Sequence, residues 1–418
     1  MLFGKTLDQQ LPKRPQEVRF CTRCVVSNQR PRITFDTEGV CSACRYAYEK
    51  HHVIDWNARE EMLLELLARH RSKDGSYDCI VPGSGGKDSS YVAYQLKYRY
   101  GMHPLTVTWA PHLYTDIGWQ NYLAFKDSGF DNILVFPNGM LHRKLSRVAF
   151  ELWGDHFKVF GLGQKALAFH MAVRFGIPLI FYGESGEIEY GGSTKNRAKP
   201  YEGVEDWSEL YFQGSDVFAL IEEGRRVGLF TKEELEHERF VFYWHPPIEA
   251  LEKIGAQMHW MSFYKKWVPQ ENYYDAVEHT GFQANPDGRS EGTYSKYASL
   301  DDKTDGFHFY LAYLKFGIGR ATSDAAHEIR DGHLSRDEGV ALVHRYDGEF
   351  PKKYFKEFLE YLSITEGEFW EVLDMYRSLS PHLWEQVNGE WRLKHQVTSL
   401  EAQEVLSGDA ARQNPTIA

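Results

Sequence analysis

The chain has 418 residues, which at roughly 100–200 residues per domain suggests two to four structural units. Hydrophobic residues make up 42%, charged residues 26% and aromatic residues 15%, a composition that supplies a large core and excludes disorder over most of the chain. No run approaches the roughly 18 apolar residues of a membrane span, and a formal net charge of -11 makes loose nucleic-acid binding a poor default.

The first 20 residues are polar and lack the apolar stretch of a secretory signal, so a cytoplasmic protein is expected. Four of the five cysteines follow: Cys21, Cys24, Cys41 and Cys44, two C-x-x-C pairs separated by sixteen residues. That is the spacing of a zinc ribbon. Two residues between thiolates let one tight turn present both sulfurs to one metal, and two such turns complete a tetrahedron. Two disulfides would need an oxidising compartment, and an iron–sulfur cluster is the minor alternative. Four thiolates leave no open position, so the metal organises structure. Residues 1–55 are assigned to this ribbon region.

Residues 56–190 read as an α/β unit. Met62, Leu63, Leu66 and Leu67 stand at helical spacing within Trp56–Arg71. A strand Tyr77–Val81 leads into a Gly-rich turn and a helix Ser89–Tyr100. Further strands are expected at Leu105–Trp109, Asn132–Phe136 and Pro178–Tyr182, with helices at Ile117–Lys126 and Leu162–Phe175 between them. Alternation of this kind predicts a parallel sheet with helices on its faces and a ligand site at the carboxyl ends of the strands. Cys79 lies inside the first strand and reads as a small core residue.

Residues 191–322 are rich in aromatics without a clear period and are assigned to the substrate side of the catalytic domain. Val241–Pro247 is the strand candidate there. The stretch 209–214 only faintly resembles a protease tag site and reads as native sequence. The Trp and Tyr density from Tyr243 to Tyr313 reads as core before sugar platform. Residues 323–418 read as helical to about Arg377, with Thr365 and Glu368 as a capping box and a frayed tail from Ser407. His51, His52, His142, His156, His170, His245 and His259 show no metal-ligand spacing and read as satisfied or exposed.

The segment Val81-Pro82-Gly83-Ser84-Gly85-Gly86-Lys87-Asp88-Ser89 follows a strand and opens a helix. Exposed backbone N–H groups and the positive end of a helix then lie at the sheet edge, which suits a phosphate. It is neither a Walker A loop nor G-x-G-x-x-G. Ser84-Gly85-Gly86-Lys87-Asp88-Ser89 resembles the S-G-G-x-D-S loop of the PP-loop ATP pyrophosphatases. Those enzymes cleave ATP to AMP and pyrophosphate while adenylating a carbonyl oxygen. Together with C-T-R-C…C-S-A-C, P-L-I-F-Y-G-E-S and K-F-G-I-G-R-A-T, the loop is similar to the N-acetyl sugar amidotransferases of bacterial surface-polysaccharide pathways. The likeness runs from Cys21 to about Tyr346.

The resemblance implies the adenine nucleotide α-hydrolase-like fold, ATP and Mg²⁺ as cofactors beside structural zinc, and conversion of an acetamido group on an activated, nucleotide-linked sugar into an acetamidino group for O-antigen or other surface glycan. It implies catalytic roles for Asp88, Glu184 and Lys87, with Asp88 holding magnesium. Ser84, Gly85, Gly86, Asp88, Ser89, Trp109 and Gly183 would contact ATP, with Thr108 and Trp109 bordering the adenosine. Lys315, Gly317, Gly319 and Arg320 become candidate anion or substrate contacts, against a solvated cationic face as the alternative for Lys315 and Arg320.

A built-in glutaminase needs an activated cysteine, and Cys79 offers none. Ammonia is therefore expected from a separate glutaminase subunit, with or without a cyclase-like channel subunit. The closest rival is a PP-loop tRNA thiolase, disfavoured by the acidic balance and the lack of further thiols; a non-catalytic scaffold is disfavoured by the intact loop.

Overall fold

The computed structural model describes residues 1–202 and 217–399, so the stretch 209–214 and the tail from Ser407 lie outside the described residues. A six-stranded sheet forms the centre, in the order β3-β2-β1-β4-β6-β5. Its strands are β1 (Cys79–Pro82), β2 (Pro104–Trp109), β3 (Asp131–Val135), β4 (Leu179–Tyr182), β5 (Tyr201–Glu202) and β6 (Gln257–Trp260). All neighbours pair in parallel except the edge strand β5, which runs antiparallel to β6. Ile80 aligns with Leu105 on one side and with Ile180 on the other.

Alternate residues of β1 and β4 explain the two-sided burial. Ile80 and Ile180 enter the core under the helix Phe157–Phe175, while Cys79, Val81, Leu179 and Phe181 enter the opposite core, which also takes in Val92 and Ala93 of the helix Lys87–Tyr94. That is why these strands read as unbroken apolar runs and not as alternating ones. The connection reverses beside β1, with β2 on one flank and β4 on the other. Such a switch point opens a crevice at the carboxyl ends of the strands.

The expected elements stand with small boundary shifts. The helix after the Gly-rich turn starts at Lys87 and continues from Gln95 to Arg99 as a π-helical turn. An amphipathic helix at Gly139–Trp153, capped by Asn138, stands where no element is expected, and the next helix starts at Phe157. Val241–Pro247 is not a strand: it spans the end of a 3-10 turn (His237–Tyr243) and the lead-in to the helix Ile248–Ile254. Consecutive prolines at 246 and 247 remove the N–H groups a ladder needs. The strand of this region is β6.

The C-terminal part holds helices at Arg320–Arg330, Arg336–Tyr346, Phe355–Leu362 and Glu366–Ser378. Ser335–Glu338 and Thr365–Glu368 form full capping boxes. A hairpin of β7 (Trp384–Val387) and β8 (Glu390–Leu393) follows, turning on Asn388 and Gly389 at φ 54° and 84°. Positive φ at both turn positions is the signature of a tight hairpin.

The ribbon does not stand apart. Cys21, Cys24, Val25 and Val26 share a core with Ala325, Ala326, Phe358 and Phe369 of the C-terminal helices. Among the described residues no helix is long and apolar enough to cross a membrane.

Candidate active site

The Gly-rich turn sits at the switch point. Gly83 extends the β1–β2 ladder by donating its N–H to Val107 O at 2.9 Å, and Thr108 Oγ1 donates to Gly83 O at 2.5 Å. Gly85 has φ +84°, and a β-carbon there would stand 2.7 Å from Asn121 O and Tyr122 Cα. Only glycine lets the loop lie against the helix Asp116–Asp127 in that conformation. Gly86 is the N-cap of the helix Lys87–Tyr94 and offers no side-chain cap. The first N–H groups of that helix therefore lack the partner a capping side chain would supply, as an anion site requires.

Lys87 Nζ pairs with Asp88 Oδ2 at 2.5 Å, while Asp88 Oδ1 is buried without a hydrogen-bond partner. Glu184 follows β4 on the far side of the switch point. Burial first, and the Asp88 charge second, push its carboxyl up to about 8. A third acid, Asp301, stands against Ser84, its carboxyl raised by burial. Its segment is pinned over the loop because Thr115 N–H donates to Asp301 O at 3.2 Å. Sequence reasoning missed Asp301; the tandem Asp301-Asp302 was the available signal. Ser84, Asp88, Glu184, Asp301, Tyr190 and Arg320 line one cavity of about 230 Å³.

Two larger cavities adjoin it. One, of about 680 Å³, shares Ser299, Leu300 and Arg320 with the loop cavity and runs past Thr115 and Asp116 at the start of the helix Asp116–Asp127 that follows β2. The other, of about 550 Å³, shares Glu184, Tyr190 and Arg320 and runs past the ends of β4 and β6. Arg320 borders all three. Its guanidinium is held by Asp324 at 3.0 Å, by Ser299 Oγ at 3.0 Å and over the Phe309 ring.

Several expected contacts lie elsewhere. Trp109 is buried in the core, edge-on to His142 and Tyr243, with its ring pressed on Gly163 of the helix Phe157–Phe175. It does not line the loop cavity, because the missing side chain at Gly163 opens a hole that the indole fills. Lys315 is neither a solvated cation nor free to meet a substrate: its ammonium pairs with Asp8 Oδ2 and donates to Trp153 O, both at 2.8 Å, with the side chain 2% exposed. Gly317 ends the helix Asp305–Phe316 at φ +64°, and Gly319 N–H donates to Asp347 Oδ2 at 3.1 Å, so both shape the backbone that presents Arg320.

Among the histidines, His142 meets Tyr243 OH at 2.8 Å and His259 meets Tyr264 OH at 2.7 Å. His156 differs from expectation: it is buried and neither ring nitrogen has a partner. Among the described residues only the four ribbon cysteines gather as a metal-binding group.

Their geometry fits zinc. Tetrahedral Zn–S bonds of about 2.3 Å place sulfurs about 3.8 Å apart. Cys21–Cys44 and Cys24–Cys41 both stand at 3.8 Å, and the four sulfurs lie within 4.8 Å of one another. Backbone N–H groups of Arg23, Cys41 and Cys44 point at the thiolates at 3.3–3.4 Å. Burial opposes the charge of Arg330, but the thiolates of Cys24, Cys44 and Cys41 outweigh it and hold that guanidinium charged beside the cluster. For magnesium, the orphaned Asp88 Oδ1 and the neighbouring Glu184 supply the oxygen donors a hard cation takes.

Residues 291–398 match the family model described as LPS biosynthesis protein WbpG-like, C-terminal domain. That stretch is similar to the C-terminal domain of the WbpG-like LPS biosynthesis proteins. The matched stretch contributes Ser299, Asp301 and Arg320 to the cavities, whereas the phosphate loop and the ribbon lie before it. No curated protein matches the chain. The WbpG-like match supports the surface-polysaccharide family to which the ribbon, loop and K-F-G-I-G-R-A-T motifs point, and with it a role in polysaccharide biosynthesis.

Proposed function

We propose that this chain is the synthetase subunit of an ATP-dependent N-acetyl sugar amidotransferase acting in surface-glycan biosynthesis. The observation that carries the reading is the convergence of the phosphate loop, Asp88, Glu184 and Arg320 at the point where the three cavities meet. In this reading the triphosphate lies on the loop, the nucleoside extends past Thr115 and Asp116 at the start of the helix that follows β2, and the acceptor enters from the side of β4.

Mg-ATP would supply an electrophilic α-phosphorus. The acetamido oxygen attacks it, pyrophosphate leaves, and the amide oxygen becomes an imidate ester. Ammonia then adds to the carbon and expels AMP, leaving an amidine. The protein's share is positioning and charge neutralisation. Asp88 and Glu184 would hold the cation, Lys87 and the loop N–H groups would face the phosphates, and Arg320 would stand between donor and acceptor.

The acceptor is a nucleotide-linked acetamido sugar, and ammonia comes from a separate glutaminase subunit. Cys79 is fully buried and burial pushes its thiol up, so it serves neither a glutaminase nor a thiol relay. That weighs against the tRNA thiolase. The test is turnover of purified chain with Mg-ATP, ammonium chloride and a panel of nucleotide-linked acetamido sugars. AMP, pyrophosphate and an amidino sugar by mass spectrometry are expected. Sulfur incorporation into tRNA added together with sulfide as the sulfur donor, with no sugar product, would overturn the proposal.

A further inference from the structure

The cavity on the Glu184 side has an unusual wall. One side is the ribbon loop carrying Arg30, Pro31 and Arg32, between the second and third cysteines. The other is the start of the helix Phe157–Phe175, carrying Lys158 and Lys165. Arg32 is tied to Glu187, Lys315 to Asp8 and Arg320 to Asp324. Arg30 and Lys158 are different. Among the described residues no carboxylate stands within ion-pair distance of either, and their contacts are aromatic: Arg30 lies 5.6 Å from the Tyr190 ring centre and Lys158 lies 5.5 Å from that of Trp153.

Both cations are partly buried, and the environment disfavours their charge. Burial lowers the Arg30 guanidinium to about 10, against the weaker opposing pull of Glu187. Burial and the neighbouring Lys315 lower Lys158 against the opposing pull of Asp8 and Asp155. Neither cation has a directly paired carboxylate, since Glu187 is held by Arg32, Asp155 by His308 and Asp324 by Arg320, so an entering anion can pair with them. The remaining lining includes Tyr182, Trp260 and Phe309, flat surfaces on which a sugar or a base can lie. A volume of about 550 Å³ is in the range of small-molecule sites.

We infer that Arg30 and Lys158 bind the diphosphate of the acceptor in this cavity, with the acetamido end directed to the Glu184–Arg320 junction. This rests on the proposed function, and it makes the zinc ribbon a wall of the acceptor site. A diphosphate spreads its charge over several oxygens and can meet a guanidinium and an ammonium together.

The test uses the zinc-loaded full chain with the loop filled by Mg-α,β-methylene-ATP. Binding of UDP-N-acetylglucosamine, UDP and glucuronate is measured by calorimetry for the native protein and for Arg30→Gln, Arg30→Lys and Lys158→Gln. UDP and UDP-N-acetylglucosamine are expected to bind. The glutamine variants should weaken both by about 10-fold or more, as expected for a lost charge-assisted contact, and Arg30→Lys should recover part of the loss. The analogue's own affinity should stay unchanged. Unaltered affinity in both glutamine variants would overturn the assignment. So would binding of glucuronate but not UDP, the absence of UDP binding, or displacement of UDP by the analogue. If the analogue itself does not bind, the proposed function fails, while UDP binding to native and variant chains still decides the acceptor wall. Circular dichroism and zinc content identify any variant that has not folded.

Discussion

Replacing Lys315 by methionine separates a structural ion pair from a substrate contact. Its ammonium stands 2.8 Å from Asp8 Oδ2, with the two side chains 2% and 0% exposed. At an effective dielectric of about 20, a pair at that distance attracts by about 6 kcal/mol before desolvation is counted. Removing one partner of such a buried pair costs about 3–5 kcal/mol, because the other charge stays buried. With a urea slope of about 3 kcal/mol/M, the unfolding midpoint should fall by roughly 1 M. The pH dependence sharpens the test. In the native protein burial raises the Asp8 carboxyl, but Lys315 and Lys158 outweigh it and hold it below the ordinary value. Its stabilisation is therefore present above the unfolded-state pKa and lost as pH falls through the folded one. Without Lys315, burial gains on the opposing charges and the carboxyl moves up. The variant's deficit should be largest near neutral pH and shrink on acidification. Asp8→Asn combined with Lys315→Met should recover much of the loss. Native stability with a raised acceptor KM would refute the argument and return Lys315 to the substrate.

Three further outcomes are expected. The purified chain should hold one zinc, measured by plasma mass spectrometry, and Cys24→Ser should lose both the metal and much of the stability, since four thiolates form the site. Glu184 has a folded-state pKa raised to about 8, so the metal-free protein loses stability as pH rises from the ordinary carboxylate range up to that value. Mg²⁺ should then raise the Tm more at pH 9 than at pH 6, and Glu184→Gln should flatten that difference; equal shifts in both proteins would remove Glu184 from the metal site. Gly85→Ala places a β-carbon 2.7 Å from Asn121 O at φ +84°, a backbone strain of about 1–3 kcal/mol. Mg-ATP binding should be lost in fluorescence titration while the chain stays folded, and unchanged affinity would mean that the loop does not carry the nucleotide.

What was legible in the sequence had a local cause. The cysteine spacing is set by two turns and one metal, and the four sulfurs meet as that spacing requires. The strands beside the switch point are buried on both faces, so their apolar runs mark them unambiguously. The Ser84–Ser89 loop is read from short-range geometry. What was missed depends on distant partners. Trp109 ends a strand at the expected edge, but Gly163, over fifty residues later, decides which way its ring is buried. Lys315 belongs to a motif whose cation pairs with Asp8 near the other end of the chain. Asp301 reaches the loop through a segment without periodicity, so only tertiary contact reveals it. The C-terminal hairpin is the exception: Asn388-Gly389 between alternating residues was a readable turn signal.

The ribbon's place in the molecule follows from one buried network. Cys41 is the N-cap of the helix Ser42–His52, so a metal held by the cluster would fix where that helix starts. Near its other end, Lys50 Nζ meets Asp331 at 2.9 Å, Glu189 at 3.3 Å and Trp267 O at 2.8 Å, with the Lys50 and Glu189 side chains 1% and 2% exposed. Glu189 ends the short helix that begins two residues after Glu184, and the Trp267 ring lies against Gly183, where a β-carbon would stand 2.8 Å from it. The same lysine therefore contacts both groups that confine the Gly183-Glu184 turn. A buried ion pair is a poor source of net stability, since its desolvation offsets most of the attraction. It is a good source of position, because any displacement of Lys50 leaves two buried carboxylates with only the His51 and His327 rings beside them. A metal held by the four ribbon cysteines, though it would touch no reacting atom, would thus act through Lys50 on the position of the Gly183-Glu184 turn.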